Sequence, residues 1–555
     1  MTEETLIEAV IHPSSLTLRG EPVVKIERLS IALPEGADRP LAVDRVSFNL
    51  YPGEMLCVVG ESGSGKSMSA NALMGLLPES VRVTGGRILF KGTDLLALPE
   101  EELYAIRGRH VAMIFQEPMS ALNPLMKVSK QIEEVFWAHG LFTPKVRREK
   151  ALSLLAEVGL PDPARAATSY PFQLSGGQRQ RVMIAMALAL EPLVLIADEP
   201  TTALDVTTQA QILKLIRKLQ TSRNMAVMFI THDFGVVAEV ADHVAVMQLG
   251  RIVEQGTAHE VLFSPGHPYT RKLIAAIPRA KERNAAIQRE VVLSVENLTK
   301  TYHIGGGLFS RPRSVHAVKD VSFTLGRGET LGMVGESGSG KTSIGRCLTR
   351  LQDPDGGRIL LGDKDMAHLG GSQLRAVRRR IQMIFQDPFA SLNPRQQVGR
   401  IIASGPIAYG EDEKKAVTRA AGLLEMVGLD AKGAQRYPHE FSGGQRQRIG
   451  IARALALEPE IIVADEPVSA LDVSIQAQVL ELLRRLKTEL GLSLVFITHD
   501  LRVAAQICDR VMVMQHGELV ELGTGSEIFD TPKHAYTRSL IEAIPGRAKE
   551  AQMAI

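Results

Sequence analysis

Short apolar runs recur along the chain, and two of them, Met55 to Val59 and Val194 to Ala197, stop at polar or glycine-rich residues before a helical pattern begins. Near-continuous apolar strands alternating with helices predict an α/β fold built on a parallel sheet covered on both faces. Ligands of such sheets bind at the carboxyl ends of the strands, so the residues that follow these runs are where chemistry is expected. The longest apolar stretches, such as Val182 to Leu190, are under half of the roughly 20 residues needed to cross a bilayer. Any membrane role is therefore expected to be peripheral.

The pattern then repeats. Gly60-Glu61-Ser62-Gly63-Ser64-Gly65-Lys66-Ser67 returns as Gly335-Glu336-Ser337-Gly338-Ser339-Gly340-Lys341-Thr342. Phe115-Gln116 returns as Phe385-Gln386, Ser175-Gly176-Gly177-Gln178 as Ser442-Gly443-Gly444-Gln445, Asp198-Glu199 as Asp465-Glu466, Asp205 as Asp472, and Thr231-His232-Asp233 as Thr498-His499-Asp500. The spacing between copies falls from 275 residues at the lysines (66 and 341) to 267 at the serines (175 and 442), so only the early part of the first copy is longer. A period this long signals a duplicated domain rather than a solenoid unit. The expected division is an extension over 1–22, a first domain over 23–278, a short polar linker over 279–290, a second domain over 291–545 and a tail over 546–555.

Length supports two cores, because 555 residues exceed what one hydrophobic core organises. With 64 basic against 62 acidic residues, the net charge of +2 provides no overall field for nucleic acid or an anionic bilayer, and no nucleic-acid partner is expected. The densest basic cluster, Arg375, Arg378, Arg379 and Arg380, reads as a solvated helix end. Cys57, Cys347 and Cys508 lie far apart without C-x-x-C spacing, which suggests neither disulfides nor a metal cluster and fits a reducing cytoplasm. Met1 to Val10 carries Glu3, Glu4 and Glu8 and no apolar core, unlike a signal peptide.

The chemistry follows from residue types at fixed spacing. In G-x-x-x-x-G-K-[ST], glycines let backbone N–H groups curl around phosphate oxygens at the start of a helix. Lys66 and Lys341 are expected to reach the β and γ phosphates of ATP, and the hydroxyls of Ser67 and Thr342 to hold Mg²⁺. One such match is compatible with chance; two, each between an apolar strand and a helix, are not. Asp198-Glu199 and Asp465-Glu466 place adjacent carboxylates at the end of a buried strand, the aspartate suited to the Mg²⁺ shell and the glutamate to orienting and deprotonating the attacking water. A lone Asp-Glu pair is usually a surface turn, and a lone Gln or His is usually structural; repetition in a fixed order sets these apart.

With these residues in view, the chain resembles the ATP-binding cassette family of ATPases over both halves. The resemblance implies two tandem P-loop NTPase domains, each with a mainly parallel sheet core, an antiparallel β subdomain and a helical subdomain bearing the signature motif. Ser175 to Gln178 match that motif, as do Ser442 to Gln445, and the family pairs its domains head to tail, so that Ser442 would close the nucleotide on Lys66 and Ser175 the one on Lys341. Gln116 and Gln386 match the Q-loop, which can reach Mg²⁺ or the attacking water while touching membrane subunits. His232 and His499 match the switch histidine at the γ phosphate, and Asp205 and Asp472 match the D-loop aspartate at the domain interface. Tyr302 stands where the family stacks an aromatic on adenine, whereas the matching residue in the first half is Leu33. Both halves keep the lysine, signature serine, glutamate and histidine, which implies two hydrolytic sites.

The segment Phe115 to Pro124 and the tails Gly266-His-Pro-Tyr-Thr270 and Lys533-His-Ala-Tyr-Thr537 resemble the ATP-binding subunits of bacterial peptide and nickel importers. Tandem-fused versions serve importers of dipeptides, oligopeptides, glutathione and microcin C. The resemblance implies two transmembrane permease subunits as partners, a substrate-binding protein outside the membrane, and a place at the cytoplasmic face of the membrane. Neither tail holds a cysteine, so the iron–sulfur cluster of some relatives is not expected. The alternative, a soluble tandem cassette acting on ribosomes, is expected to carry a long charged helical linker, for which 279–290 is too short. A repair or chromosome-organising ATPase would insert a coiled coil between Lys66 and Ser175, and a binding module with dead sites would lack Glu199 and Glu466.

Overall fold

The computed structural model describes residues 10–11, 20–202, 204–277, 289–304, 313–469 and 471–547, without the side chains of Ile11, Ile304, Arg313, Pro388 and Phe389. Most of the expected extension, linker residues 279–288 and tail residues 548–555 lie outside them. The chain separates into two compact units whose main change-over follows Ile277, with Asp205–Thr207 grouped with the second unit and the segment from Ile544 grouped with the first.

In the first half, the strands Met55–Val59, Val194–Asp198 and Ala226–Thr231 are buried at every position. This is the burial that continuous apolar runs demand of a sheet covered on both sides. Together with Val111–Ile114 and His243–Gln248 they pair in parallel, and Arg251–Thr257 adds an antiparallel edge. Val10 and Ile11, within the expected extension, extend that edge by pairing with Glu254 and Gln255. The second half repeats the sheet as Ile381–Ile384, Ile461–Asp465, Ser493–Ile497, Thr330–Val334, Arg510–Gln515 and Glu518–Thr524.

Each half also has the antiparallel sheet that the resemblance implied, Leu41–Leu50, Val24–Ala32, Arg82–Phe90 and Thr93–Asp94 in the first and Arg313–Gly326, Val291–Ile304, Gly356–Leu361 and Lys364–Asp365 in the second. Bulges at Arg28 (φ 49°) and Asn297 (φ 50°) occupy the same place in both. That register sets Leu33 opposite Tyr302 in the duplication. A third layer is helical. Val128–Ala138, Pro144–Glu157 and Gly176–Ala187 bury Ile132, Phe136, Leu155 and Ile184 in the first half, and Val398–Ala408, Glu413–Met426 and Gly443–Leu455 correspond in the second. No helix among the described residues is long and apolar enough to cross a membrane.

The arginine cluster departs from a simple solvated helix end. Arg375 and Arg379 are exposed, but Arg380 forms a two-pronged pair with Glu460 at 2.7 and 2.8 Å, and Arg378 donates to the Arg350 carbonyl. The planar fork of arginine recruits these groups as soon as one lies within reach.

Candidate functional site

Each glycine-rich loop joins a buried strand to a helix. Gly60 (φ 153°) and Gly65 (φ 103°) adopt positive φ, and a Cβ would lie 2.2 Å from the Met247 carbonyl at Gly60 and 2.6 Å from the Ala42 carbonyl at Gly65. Only glycine fits a loop wrapped this closely. Helix Lys66–Met74 begins at the loop without a side-chain cap, as does Lys341–Leu348, so no capping side chain takes up their first N–H groups. The Lys66 ammonium is buried and donates to the Gly60 carbonyl (2.7 Å), the Glu61 carbonyl (2.9 Å) and the Ser64 hydroxyl (3.4 Å). Lys341 repeats this with Gly335 (2.8 Å), Glu336 (2.8 Å) and Ser339 (3.3 Å), and burial lowers its pKa.

The carboxylates sit two strands over, across Ala226–Thr231 in the first half and Ser493–Ile497 in the second. Ser67 donates to Asp198 at 3.0 Å and Thr342 to Asp465 at 3.1 Å. Burial raises the pKa of both aspartates; the hydroxyl bond lowers it, and the charge of the adjacent glutamate adds to the rise. Glu199 and Glu466 follow at φ 46°, a conformation costly for a side-chain-bearing residue, each locked by its N–H on the neighbouring strand, Ile230 and Ile497 respectively. That turn carries the carboxylate off the sheet and into a ring of partners. Glu199 accepts from Gln116 (2.9 Å) and Thr202 (3.0 Å) and meets His232 Nδ1 at 3.2 Å. Glu466 accepts from Gln386 (2.8 Å) and meets His499 Nδ1 at 3.1 Å.

These partners set the ionisation. Burial would raise the pKa of Glu199, but the hydrogen bond and charge of His232, with Thr202 and Lys66, outweigh it and hold the group at about 2. Glu466 is likewise lowered, burial being outweighed chiefly by His499, and His499 is raised, the bond to Glu466 outweighing its own burial. Each cluster thus offers an ionised carboxylate, a buried ammonium and a hydroxyl–carboxylate pair around one loop. That set can bind a phosphate chain, hold a hard cation and take a proton from water.

Lysine, serine or threonine, aspartate, glutamate, glutamine and histidine therefore converge in each half, as their order in the sequence led one to expect. Ser175 and Ser442 lie elsewhere, as N-caps of the helices Gly176–Ala187 and Gly443–Leu455. Each forms a capping box, Ser175 with Gln178 at 3.3 and 3.0 Å and Ser442 with Gln445 at 3.4 and 2.9 Å. Gly177 and Gly444 pack so tightly that a Cβ would lie 2.4 Å from Cγ2 of Thr208 and Ile475. Asp205 accepts from Thr207 at 2.9 Å, and Asp472 begins helix Val473–Leu490 without a side-chain bond to its first turn. Tyr302 is half-buried, its hydroxyl bonded to Gln352 and to Ser343 (3.3 Å), with Lys300 over the ring at 5.7 Å; Leu33 packs against the first half's core.

Sequence reading missed Thr202, which the repeat replaces with Ser469, and Tyr269 and Tyr536, whose hydroxyls accept from the N–H of Glu61 (3.3 Å) and Glu336 (3.2 Å). The repeated His-x-Tyr-Thr of the two tails was the available signal for the tyrosines.

Comparison with known proteins agrees with this geometry. A family model described as ABC transporter matches residues 43–202 and 318–469, and one described as the C-terminal region of oligopeptide/dipeptide transporters matches 253–310 and 520–554. The chain is 48% identical to the peptidoglycan transport ATP-binding protein YejF of Agrobacterium fabrum, over 94% of this chain and 96% of that protein. It is 47% identical to the glutathione import ATP-binding protein GsiA of Escherichia coli O157:H7, over 96% of this chain and 91% of that protein. A solved dimeric cassette in a post-hydrolysis state bound to ADP and Pi aligns with 42% of this chain and 98% of its own, at 30% identity and a TM-score of 0.38. Both halves carry the family's match and the relatives extend over nearly the whole chain, so this protein belongs to the ABC transporter family, as one of its ATP-hydrolysing ATP-binding proteins.

Proposed function

We propose that this chain powers the import of peptides or small peptide-like substrates, with two ATP sites per polypeptide. The observation that carries the reading is that each half holds its own ionised glutamate, Glu199 or Glu466, between a histidine and a glutamine on the far side of the lysine loop. A degenerate half would have lost one of these groups. In each site the loop N–H groups and the lysine bind the triphosphate, and the glutamate takes the proton of the attacking water that Gln116 or Gln386 and His232 or His499 orient.

The hydroxyl–carboxylate pairs Ser67–Asp198 and Thr342–Asp465 are hard oxygen donors about one hydrogen bond apart, and both aspartates are buried where a cation would relieve them. They fit Mg²⁺, with Gln116 and Gln386 as further oxygen donors. When bound, the ion supplies positive charge to the β and γ phosphates.

By the family's pairing, Ser442 to Gln445 cap the nucleotide on Lys66, and Ser175 to Gln178 the one on Lys341, with Asp205 and Asp472 at the interface. A complete set of phosphate contacts then exists only in the closed pair, so ATP favours closure and hydrolysis releases it. Two permease subunits at the cytoplasmic face of the membrane convert this cycle into transport, and a binding protein outside delivers the cargo. Exposed Phe115, Met119, Leu125 and Trp137, on and near the Q-loop of the first half, support a docking face there.

Uptake of radiolabelled di- and tripeptides and of glutathione, compared in host cells with and without this chain, tests the reading. Loss of at least one uptake, restored by the wild-type chain and not by Lys66→Ala/Lys341→Ala, is expected. Unchanged uptake of every peptide sinks it.

A further inference from the structure

Both tails make the same chain of contacts. Glu254, fully buried in strand Arg251–Thr257, accepts from the N–H groups of Gly266 (2.7 Å) and His267 (3.1 Å). His267 Nδ1 accepts from Tyr269 N–H at 3.2 Å and so caps helix Pro268–Ala275, and the Tyr269 hydroxyl accepts from Glu61 N–H at 3.3 Å. In the second half Glu521 accepts from Lys533 (2.8 Å) and His534 (3.1 Å), His534 Nδ1 from Tyr536 N–H (3.2 Å), and the Tyr536 hydroxyl from Glu336 N–H (3.2 Å).

The N–H that each tyrosine holds belongs to the same rigid peptide plane as the carbonyl of Gly60 or Gly335. That carbonyl receives a bond from Lys66 at 2.7 Å and from Lys341 at 2.8 Å. The plane is thus gripped from both edges, by a tail hydroxyl on its N–H and by the loop lysine on its C=O. The glycine before it, at φ 153° or 148°, is the joint about which the plane would otherwise turn.

We propose that Tyr269 and Tyr536 are positioning residues for the phosphate-binding lysines: through the Gly60–Glu61 and Gly335–Glu336 peptide planes, each tail sets the affinity of its own half for the phosphates of ATP. This rests on the reading of the glycine-rich loops as ATP sites.

The test measures binding of fluorescent ATP and AMP analogues with Mg²⁺ to the full chain, as wild type and as Tyr269→Phe/Tyr536→Phe, which keeps both rings and removes only the hydroxyls. An about five- to tenfold loss in affinity for ATP is expected. The lysines act on the β and γ phosphates, so AMP affinity is expected to change far less. In the single variants, photolabelling with azido-ATP followed by peptide mapping should lose label from 23–278 in Tyr269→Phe and from 291–545 in Tyr536→Phe. Equal loss for ATP and AMP, or ATP affinity within about twofold of wild type, overturns the positioning role alone. A wild-type chain that binds no ATP overturns the underlying reading and this proposal with it.

Discussion

His232 Nδ1 lies 3.2 Å from Glu199 Oε1, and the second half repeats the contact at 3.1 Å between His499 and Glu466. A histidine on one strand end thus fixes and ionises a carboxylate on the next, twice in one chain. Because Glu199 sits at φ 46°, its carboxylate is aimed by the backbone and its charge is set by the histidine.

Replacing both glutamates, Glu199→Gln and Glu466→Gln, is expected to lower ATP turnover by about 10²- to 10⁴-fold, the contribution of a positioned general base. Binding of ATP should survive, because the loop and its lysine are untouched. Steady-state phosphate release together with equilibrium binding checks both halves of the statement; turnover near the wild-type rate would show that the base lies elsewhere.

Gly177→Ala brings a Cβ to 2.4 Å from Thr208 Cγ2, a methyl that must shift to admit it. Alanine favours helix by about 1 kcal/mol over glycine, but the overlap costs about 1–3 kcal/mol, so net destabilisation is expected in chemical unfolding. Adding Thr208→Ser removes the obstructing methyl and should restore stability to the wild-type value or above it. Failure of that rescue would assign the glycine to something other than helix packing.

Adenine stacking should differ between the halves, since Tyr302 in the second corresponds to Leu33 in the first. Tyr302→Leu is expected to reduce azido-ATP labelling of the second half about two- to tenfold, the value of one aromatic pair, and Leu33→Tyr to raise labelling of the first. Labelling indifferent to both substitutions would place the base on another surface.

The acid limb of stability should depend on Asp242. It accepts from Met55 N–H at 2.8 Å, at the head of the strand that leads into the glycine-rich loop, and pairs with both prongs of Arg217 at 2.7 and 2.8 Å. Burial would raise its pKa, but Arg217 and Met55 N–H hold it below the usual 3.8. A depressed carboxylate contributes stability that is full above the unfolded-chain value and is lost as pH falls through the lower folded value. Asp242→Asn should therefore cost about 1–3 kcal/mol near neutral pH, and the gap to wild type should close below pH 3.8. Urea unfolding at a series of pH values measures it, and a gap independent of pH would contradict the ion pair.

Much of the site was readable in advance because its chemistry is local. Gly60 to Ser67 and Ser175 to Gln178 each need one residue type at one spacing, and a second copy of each removed coincidence. The buried strands were equally plain, since Met55–Val59 and Val194 to Ala197 are unbroken apolar runs, and both are buried at every position. Other features depend on neighbours that sequence order conceals. Val10 and Ile11 look like part of a loose extension, yet their backbone completes an edge at Glu254 and Gln255. Arg380 looks like one member of a charged run until Glu460, from another segment, comes within 2.7 Å.

Composition, periodicity and repeated motifs thus settled the fold class and the duplication and marked the candidate phosphate-binding residues, because backbone curvature and functional groups are properties of short segments. Which groups ionise, which peptide planes are held and which glycines cannot change were decided only by the folded arrangement. Glu199 reaches a pKa of about 2, and Tyr269 reaches Glu61, through contacts between segments separated by tens to hundreds of residues. Burial and charge act through space, and distance through space is what a linear sequence does not contain.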